Sequence, residues 1–176
     1  MAHAKLSPSG AHRWMRCPGS VVLEAQYPDR GSIYAREGSA AHELAAIVLE
    51  GDEANAQGYV GMKVEFQDGE ETVQWLVTQD MADHVDDYVK LVREKAEGKT
   101  LLVERKVPIG HITGEQGATG TSDAIVIGSD EIEVIDLKYG MGVQVFAEDN
   151  EQAQFYALGT LCLLYTSDAA DDLTRV

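Results

Sequence analysis

Two short apolar runs on either side of a turn place the strongest constraint on how this 176-residue chain folds. The first run, residues 124–127, follows Asp123, and the second, residues 132–135 with Glu133 as its one polar member, precedes Asp136. The Gly-Ser-Asp sequence between them is typical of a turn, so the segment is predicted to form a β-hairpin. Pairing across the turn brings Asp123 close to Asp136, and alternation along the second strand puts Asp136 and Lys138 on one face.

These two carboxylates and the lysine are expected to converge where apolar side chains normally pack. Buried carboxylates cost free energy unless a cation neutralises them. Carboxylate oxygen is the ligand that Mg²⁺ prefers, and it also suits Mn²⁺. The hairpin therefore predicts a divalent metal site on Asp123 and Asp136.

The other segments are predicted to be mostly helical, and the element order favours an α/β fold. The first predicted elements are a short helix opened by Ser7 and ended by Cys17, a helix over about 32–49 closed by Gly51, and a loop or hairpin over 52–70. A long amphipathic helix from Thr72 to about Ala96 follows and is stopped by Gly98. The last elements are a strand over 101–107, a glycine-rich loop over 110–120 and a helix capped by Asp149.

Composition narrows the classes of protein. With 44% hydrophobic and 25% charged residues, the chain can bury the core of one globular domain. No apolar run approaches membrane-spanning length and the start contains no signal-peptide core, so a cytoplasmic protein without a membrane partner is expected. The net charge of −16 argues against broad electrostatic binding to nucleic acid, but is compatible with an enzyme whose metal ions screen the site.

The order of the candidate residues resembles the PD-(D/E)XK nuclease superfamily, specifically its RecB-like branch, which includes recombination and CRISPR-associated exonuclease domains. That branch has a helix with a histidine, a strand opened by a glycine-preceded aspartate, an acid-x-lysine strand and a Gln-x-x-x-Tyr helix. The chain supplies these elements in the same order as His42, Asp123, Asp136 with Lys138, and Gln152 with Tyr156. The resemblance covers nearly all of residues 5–161 and implies a restriction-endonuclease-like core, with a central mixed sheet and flanking helices.

Five further motifs look like those of an uncharacterised phage and prophage family of that branch. Each is weak alone, but their shared order is specific. This resemblance implies a phage or prophage origin, DNA as a partner, and a role in replication or recombination beside phage or host recombination proteins. The motifs are Leu6-Ser7-Pro8-Ser9, Arg13-Trp14, Cys17-Pro18-Gly19-Ser20, Asp136-Leu137-Lys138-Tyr139-Gly140 and Tyr156-Ala157-Leu158-Gly159.

The resemblance implies a metal-dependent DNA nuclease, with exonuclease action the first expectation and endonuclease action left open. Asp123 and Asp136 would hold Mg²⁺ or Mn²⁺, with the backbone carbonyl of Leu137 as a further ligand. His42 would add a nitrogen ligand, which suits Mn²⁺ better than Mg²⁺. The plainer interpretation of His42, which lies among alanines, is a packing histidine.

Three other side chains complete the expected site. Lys138 would orient or deprotonate the attacking water, or stabilise charge on the phosphate. Gln152 and Tyr156 lie one helical turn apart and would bind the substrate backbone or support Lys138, unless they form an ordinary helix contact. Glu104 could join outside the metal ligands, although a structural or exposed role is the simpler expectation. The alternative function is a non-catalytic phage protein that keeps the fold and binds nucleic acid or a host recombination complex.

Cys17 raises the question of an iron–sulfur cluster. In iron–sulfur members of the resembling branch, a Cys-Pro near the N-terminus joins three cysteines beyond the Gln-x-x-x-Tyr helix to bind a [4Fe–4S] cluster. Cys17 with Pro18 matches the first element. The cluster is therefore expected only in an intact, longer protein, and a buried inert thiol is the alternative.

The last residues differ in character from those before them. Residues 162–176 lack the pattern of the preceding helix and resemble the translation of a transposon-based sequencing adapter. We therefore expect residues 1–161 to form a nuclease domain that is incomplete at its C-terminus and impaired or inactive as a fragment. The tail is expected to be non-native and to make few core contacts.

Overall fold

The computed structural model describes residues 4–27, 32–51, 53–140 and 145–173, with side chains up to Tyr165. Six α-helices and five strands lie in these residues, together with 3-10 turns at Pro8–Gly10 and Gln57–Tyr59. The helices are α1 (Ala11–Trp14), α2 (Gly19–Glu24), α3 (Ile33–Glu50), α4 (Gln79–Ala96), α5 (Gly110–Thr113) and α6 (Glu151–Leu173). The strands are β1 (Lys63–Asp68), β2 (Glu71–Leu76), β3 (Thr100–Pro108), β4 (Thr119–Ile127) and β5 (Ile132–Ile135).

The strands form two sheets, and the predicted α/β class is confirmed. Strands β1 and β2 form a hairpin, and β3, β4 and β5 form a second sheet in that order. All strand pairs in the described residues are antiparallel, so the expectation of a mixed sheet was wrong for this part of the chain. The reason is local, because each neighbouring pair is joined by a connection short enough to reverse the chain.

The predicted hairpin is confirmed as β4 and β5. Ala124 pairs with Ile135, so continuing this register by one residue sets Asp123 across from Asp136. However, β5 ends at Ile135, and the prediction that Asp136 and Lys138 lie within the strand was wrong. The physical reason is that the backbone N–H of Leu137 donates to the side chain of Asp123, at 2.7 Å, instead of to a neighbouring strand.

The helix predicted over 32–49 is confirmed as α3. Ser32 caps it by accepting a hydrogen bond from the N–H of Ala35 at 3.0 Å, and Gly51 ends it. Buried alanines and Leu44 on one face allow α3 to approach α4 closely. The prediction included the closing Gly51, while the Ser32 cap is a finding of the structure.

The long helix predicted from Thr72 to Ala96 was half wrong. Its first part is strand β2, and α4 begins only at Gln79, where Thr78 accepts a hydrogen bond from the N–H of Met81 at 3.2 Å. Helical spacing of apolar residues misled the prediction, because the β-branched and aromatic residues of this stretch also suit a strand. Pairing with β1 decides between the two conformations.

Other predicted boundaries also needed correction. The first predicted helix is a 3-10 turn followed by α1, and α2 begins at Gly19. The predicted 110–120 loop contains α5. Asn150, not Asp149, caps α6, because its side chain accepts from the N–H of Ala153 at 3.0 Å.

Helices lie on both sides of the three-stranded sheet. One buried cluster joins α3, α4 and the β1–β2 hairpin to residues such as Ala124 and Leu137. The other packs Phe155 and Tyr156 of α6 against β3, β4 and the N-terminal turn. The sheet therefore presents one face to α3 and α4 and the other to α6.

Helix α6 continues without a break past residue 161 to Leu173, so no boundary between elements marks the expected start of the tail. Side chains 162–164 are half-buried and that of Tyr165 is exposed, and the expectation of few core contacts for the tail stays a prediction. None of the helices in the described residues is both long enough and apolar enough to cross a membrane.

Candidate metal centre

Three elements bring one histidine and two carboxylates together. His42 comes from α3, Glu104 from β3 and Asp123 from β4, and one ligand atom of each lies within 4.8 Å of the other two. His42 Nδ1 is 3.2 Å from Asp123 Oδ1. The other oxygen of Asp123, Oδ2, accepts a hydrogen bond from the N–H of Leu137, which fixes the orientation of the carboxylate. The centre thus combines residues that lie far apart in the sequence.

Glu104 reaches this centre through an unusual backbone conformation. The β3–β4 register sets Glu104 across from Asp123, between the pairs Val103–Ala124 and Arg105–Ser122. Adjacent strand residues normally point to opposite faces, yet Val103 and Glu104 both line the same small gap against α3. Glu104 has a φ of 45°, which is rare for a residue with a side chain and breaks the alternation.

This conformation explains why sequence reasoning undervalued Glu104. Regular alternation after Val103 would have turned its carboxylate away from His42. No local sequence signal marks a glutamate for positive φ, and such strained residues concentrate at functional sites. The simpler expectation of a structural or exposed role was therefore incomplete: Glu104 is exposed, but it also faces Asp123 and His42.

Asp136 lies beside the three-residue group and is not a member of it. Its Oδ2 is 2.6 Å from Lys138 Nζ, and its Oδ1 accepts from Gln152 Nε2 at 2.9 Å. Burial, and next the charge of Asp123, raise the pKa of Asp136. The negative charges of the two aspartates therefore repel each other. The expectation that Asp136 is itself a metal ligand remains a prediction.

Gln152 connects the predicted catalytic residues to α6. Its Oε1 accepts from Lys138 Nζ at 3.1 Å, while its Nε2 donates to Asp136 and to Tyr156 Oη, the latter at 3.3 Å. Tyr156 is almost fully buried. Because every polar atom of the Gln152 amide has a partner, this side chain sets the relative positions of Asp136 and Lys138.

The electrostatics are those of a crowded acidic centre. Although Glu104 is exposed as a residue, the protein atoms around its carboxylate desolvate that group and raise its pKa to about 7, with the charge of Asp123 as the next cause. Burial lowers the pKa of His42, but the hydrogen bond and negative charge of Asp123 outweigh it, so the net change is upward. Burial also raises the pKa of Tyr88, whose hydroxyl donates to the carbonyl of Ile135. The negative charge of Asp123 contributes to each of these upward changes, and this contribution indicates a site that favours added positive charge.

The donor set fits a divalent cation. Two carboxylates and an imidazole are ligands that Mn²⁺ accepts readily, and the carboxylates alone suit Mg²⁺. Ligand atoms on opposite sides of such an ion are separated by about 4.2 Å, and the three ligand atoms lie within 4.8 Å of one another, so at most a small inward movement of the side chains would let them share an ion. A cavity of about 450 Å³ opens directly in front of His42, Glu104 and Asp123.

Two other expected ligands have a different status. Leu137 contributes its N–H to Asp123, and the expected use of its carbonyl as a metal ligand stays a prediction. Cys17 is exposed, so the alternative of a buried inert thiol was wrong. A cluster ligand role for Cys17 in a longer protein stays a prediction.

Residues 3–167 match a protein family described as a protein of unknown function (DUF2800). No solved structure matches the chain.

Proposed function

The chain belongs to the DUF2800 family, and from the geometry of its acidic centre we propose that it is a metal-dependent DNA nuclease with a restriction-endonuclease-like core. The observation that carries the proposal is the meeting of His42, Glu104 and Asp123 from three elements, with the Asp136–Lys138 pair beside them. The order of these residues, which resembles that of RecB-like nucleases, supports the same conclusion. Exonuclease action on phage or prophage DNA, in replication or recombination, is the form that we propose.

The acidic centre would hold Mg²⁺ or Mn²⁺ through His42, Glu104 and Asp123. Such an ion supplies Lewis-acid stabilisation of a phosphate oxygen and lowers the pKa of a bound water. Asp123 is held for this role by the N–H of Leu137, so one of its oxygens stays directed towards His42. Because the Asp123 carboxylate is already held in this orientation, binding of a metal ion would cost little side-chain entropy.

Lys138 is the catalytic cation of the proposal. Asp136 and Gln152 hold its ammonium group at 2.6 and 3.1 Å, next to the acids. From there it orients the attacking water and stabilises negative charge that develops on the phosphate. Its aliphatic stem remains partly exposed, so the ammonium can turn towards a substrate in the cavity.

A nuclease assay on single- and double-stranded DNA tests the proposal. The full-length protein should cut DNA with Mn²⁺ or Mg²⁺, and cutting should stop when a chelator is added. Asp136→Ala or Lys138→Ala should lower the rate by about a hundredfold or more. Lys90→Ala, which removes an exposed cation from α4, is the matched control and should retain activity. Wild-type protein that binds DNA without cutting it with either metal would overturn the proposal.

A non-catalytic DNA-binding or recombination-complex protein is the second candidate. The full occupation of the Asp136 oxygens by Lys138 and Gln152 favours it. Within this candidate, the net charge of −16 favours binding to a recombination complex over binding to DNA. It predicts that Asp136→Ala and Lys138→Ala leave DNA binding and partner binding unchanged. The assay above separates the two candidates, because only the first requires metal-dependent cleavage.

A further inference from the structure

A second groove lies next to the cavity of the acidic centre, at the end of the sheet where β3 ends and β4 begins. It has a volume of about 680 Å³, within the range of about 300–1,000 Å³ that is usual for ligand pockets. Thr121 lines both this groove and the cavity in front of Asp123. A molecule that occupies the acidic centre can therefore extend into the groove without leaving the protein surface.

The sheet register fixes the distance between the two places. Glu104 lies across from Asp123, and Lys106 pairs with Thr121 two residues further along both strands. Two strand residues span about 7 Å, and residues two apart point to the same face. Lys106 and Thr121 thus follow the acidic pair on the sheet surface that borders the cavity.

The charges in the groove differ from those at the acidic centre. Lys106 is the one basic side chain among the groove residues that the structure describes, and it is exposed, with no ion pair to another described residue. Glu115 is the one acid there, but its two oxygens accept from the N–H groups of Lys5 and Leu6, at 3.1 and 3.2 Å. The groove therefore offers an unpaired cation and an acid that already has partners.

Hydroxyl-bearing residues line the same groove as this cation. Ser7, Ser9, Thr119, Thr121 and Tyr156 all line the groove, and hydroxyl groups commonly bind phosphate oxygens together with lysine. The N-terminal turn that carries the serines packs close to the sheet because residue 120 is glycine: a Cβ there would lie 2.7 Å from Pro8 and 2.8 Å from Tyr156. The wall of the groove is thus part of the packed structure.

We propose that this groove binds a phosphate of the DNA strand next to the one held at the acidic centre, with Lys106 as its cation. This inference rests on the proposed function, because it needs a DNA strand at that centre. In this proposal the groove contacts the sugar–phosphate backbone of the DNA and does not recognise its bases. One phosphate–lysine contact contributes a salt-dependent part of the binding free energy.

The test is the salt dependence of binding to a fluorescent single-stranded oligonucleotide, measured by anisotropy in chelator so that no cleavage is needed. Lys106→Ala should weaken binding and lower the slope of log K against log salt by about 0.7. Lys106→Arg should largely retain the slope, and the matched control Lys90→Ala should leave it unchanged. With metal present, Lys106→Ala should raise KM and leave kcat near the wild-type value.

An unchanged slope for Lys106→Ala, in protein whose thermal melt shows that it is folded, would overturn the inference. Failure of the wild-type chain to bind the oligonucleotide would do the same. Inorganic phosphate is added as a competitor in a further experiment. If phosphate displaces DNA from the wild type, and Lys106→Ala changes this displacement but not DNA binding itself, then the groove binds free phosphate and the inference about DNA is wrong. Binding with the expected slopes but without cleavage would support the groove and reject the nuclease, whereas cleavage with an unchanged slope would do the reverse.

Discussion

The backbone N–H of Leu137 donates a hydrogen bond to Asp123 Oδ2 at 2.7 Å. This bond ends β5 one residue before Asp136 and fixes the carboxylate that faces His42. A side chain thus takes the place of a neighbouring strand as the hydrogen-bond acceptor. The site and the end of the sheet are consequently parts of the same local arrangement.

This relationship predicts that two substitutions of Asp123 behave differently. Asp123→Asn retains an oxygen that accepts from Leu137, whereas Asp123→Ala leaves that partly buried N–H without its partner. The alanine variant should be less stable than the asparagine variant by about 1–3 kcal/mol in chelator. Both should lose metal-induced stabilisation. Chemical denaturation with and without Mn²⁺ measures these differences, and equal stability of the two variants would contradict the role given to Leu137.

Glu104 predicts a pH dependence of the metal-free protein. Its pKa is about 7 in the folded chain against an ordinary 4.5, so the folded state binds more protons between these values. Stability should therefore fall as pH rises through this interval. Glu104→Gln should flatten the fall, with a higher Tm than wild type at pH above about 7 and a similar Tm near pH 4.

Thermal melts in chelator across this pH range provide the measurement for Glu104→Gln. His42 adds a slope of the same sign, because its raised pKa stabilises the fold at low pH and this contribution is lost as pH rises. Some pH dependence should therefore persist in the variant. Glu94→Gln, on the exposed surface of α4, is the control and should follow wild type. Parallel curves for wild type and Glu104→Gln would show that Glu104 is not coupled to the acidic centre.

Because Gln152 positions Lys138 and Asp136, we expect that removing its side chain lowers activity. Gln152→Ala removes the bonds to Lys138 and Asp136, so cleavage should fall by about ten- to a hundredfold. Tyr156→Phe keeps the buried ring and loses only a hydroxyl contact, so its rate should stay close to wild type. Single-turnover rates of the two variants make the comparison. Wild-type rates for Gln152→Ala would remove Gln152 from the site.

Thr78 predicts where helix α4 begins. As the N-cap, it accepts a hydrogen bond from Met81, so Thr78→Ala should destabilise the protein by about 1 kcal/mol. If one helix ran through this position instead, alanine would be the better helix former and would stabilise the chain. Lys90→Ala, inside α4, should be neutral or slightly stabilising. The sign of the Thr78→Ala effect in urea denaturation therefore separates the two structures.

The sequence by itself determined the elements whose signals are local. The β4–β5 hairpin followed from two apolar segments around a turn, and the end of α3 followed from its terminal glycine. Gly98, with a φ of 71°, likewise lies next to the end of α4, as predicted. Such signals act between residues close in the chain, so they need no knowledge of the fold.

Tertiary structure decided the features that depend on distant partners. Residues 72–77 suit either a helix or a strand, and only pairing with β1 selects the strand. Glu104 belongs to the acidic centre because the β3–β4 register sets it across from Asp123, while its positive φ turns it towards His42. The residues near Glu104 in the sequence do not predict this conformation, because a strained backbone conformation persists only when the surrounding packing holds it. The sequence therefore determined His42 and Asp123 as candidate ligands, and the packed sheet and helix added Glu104 to them.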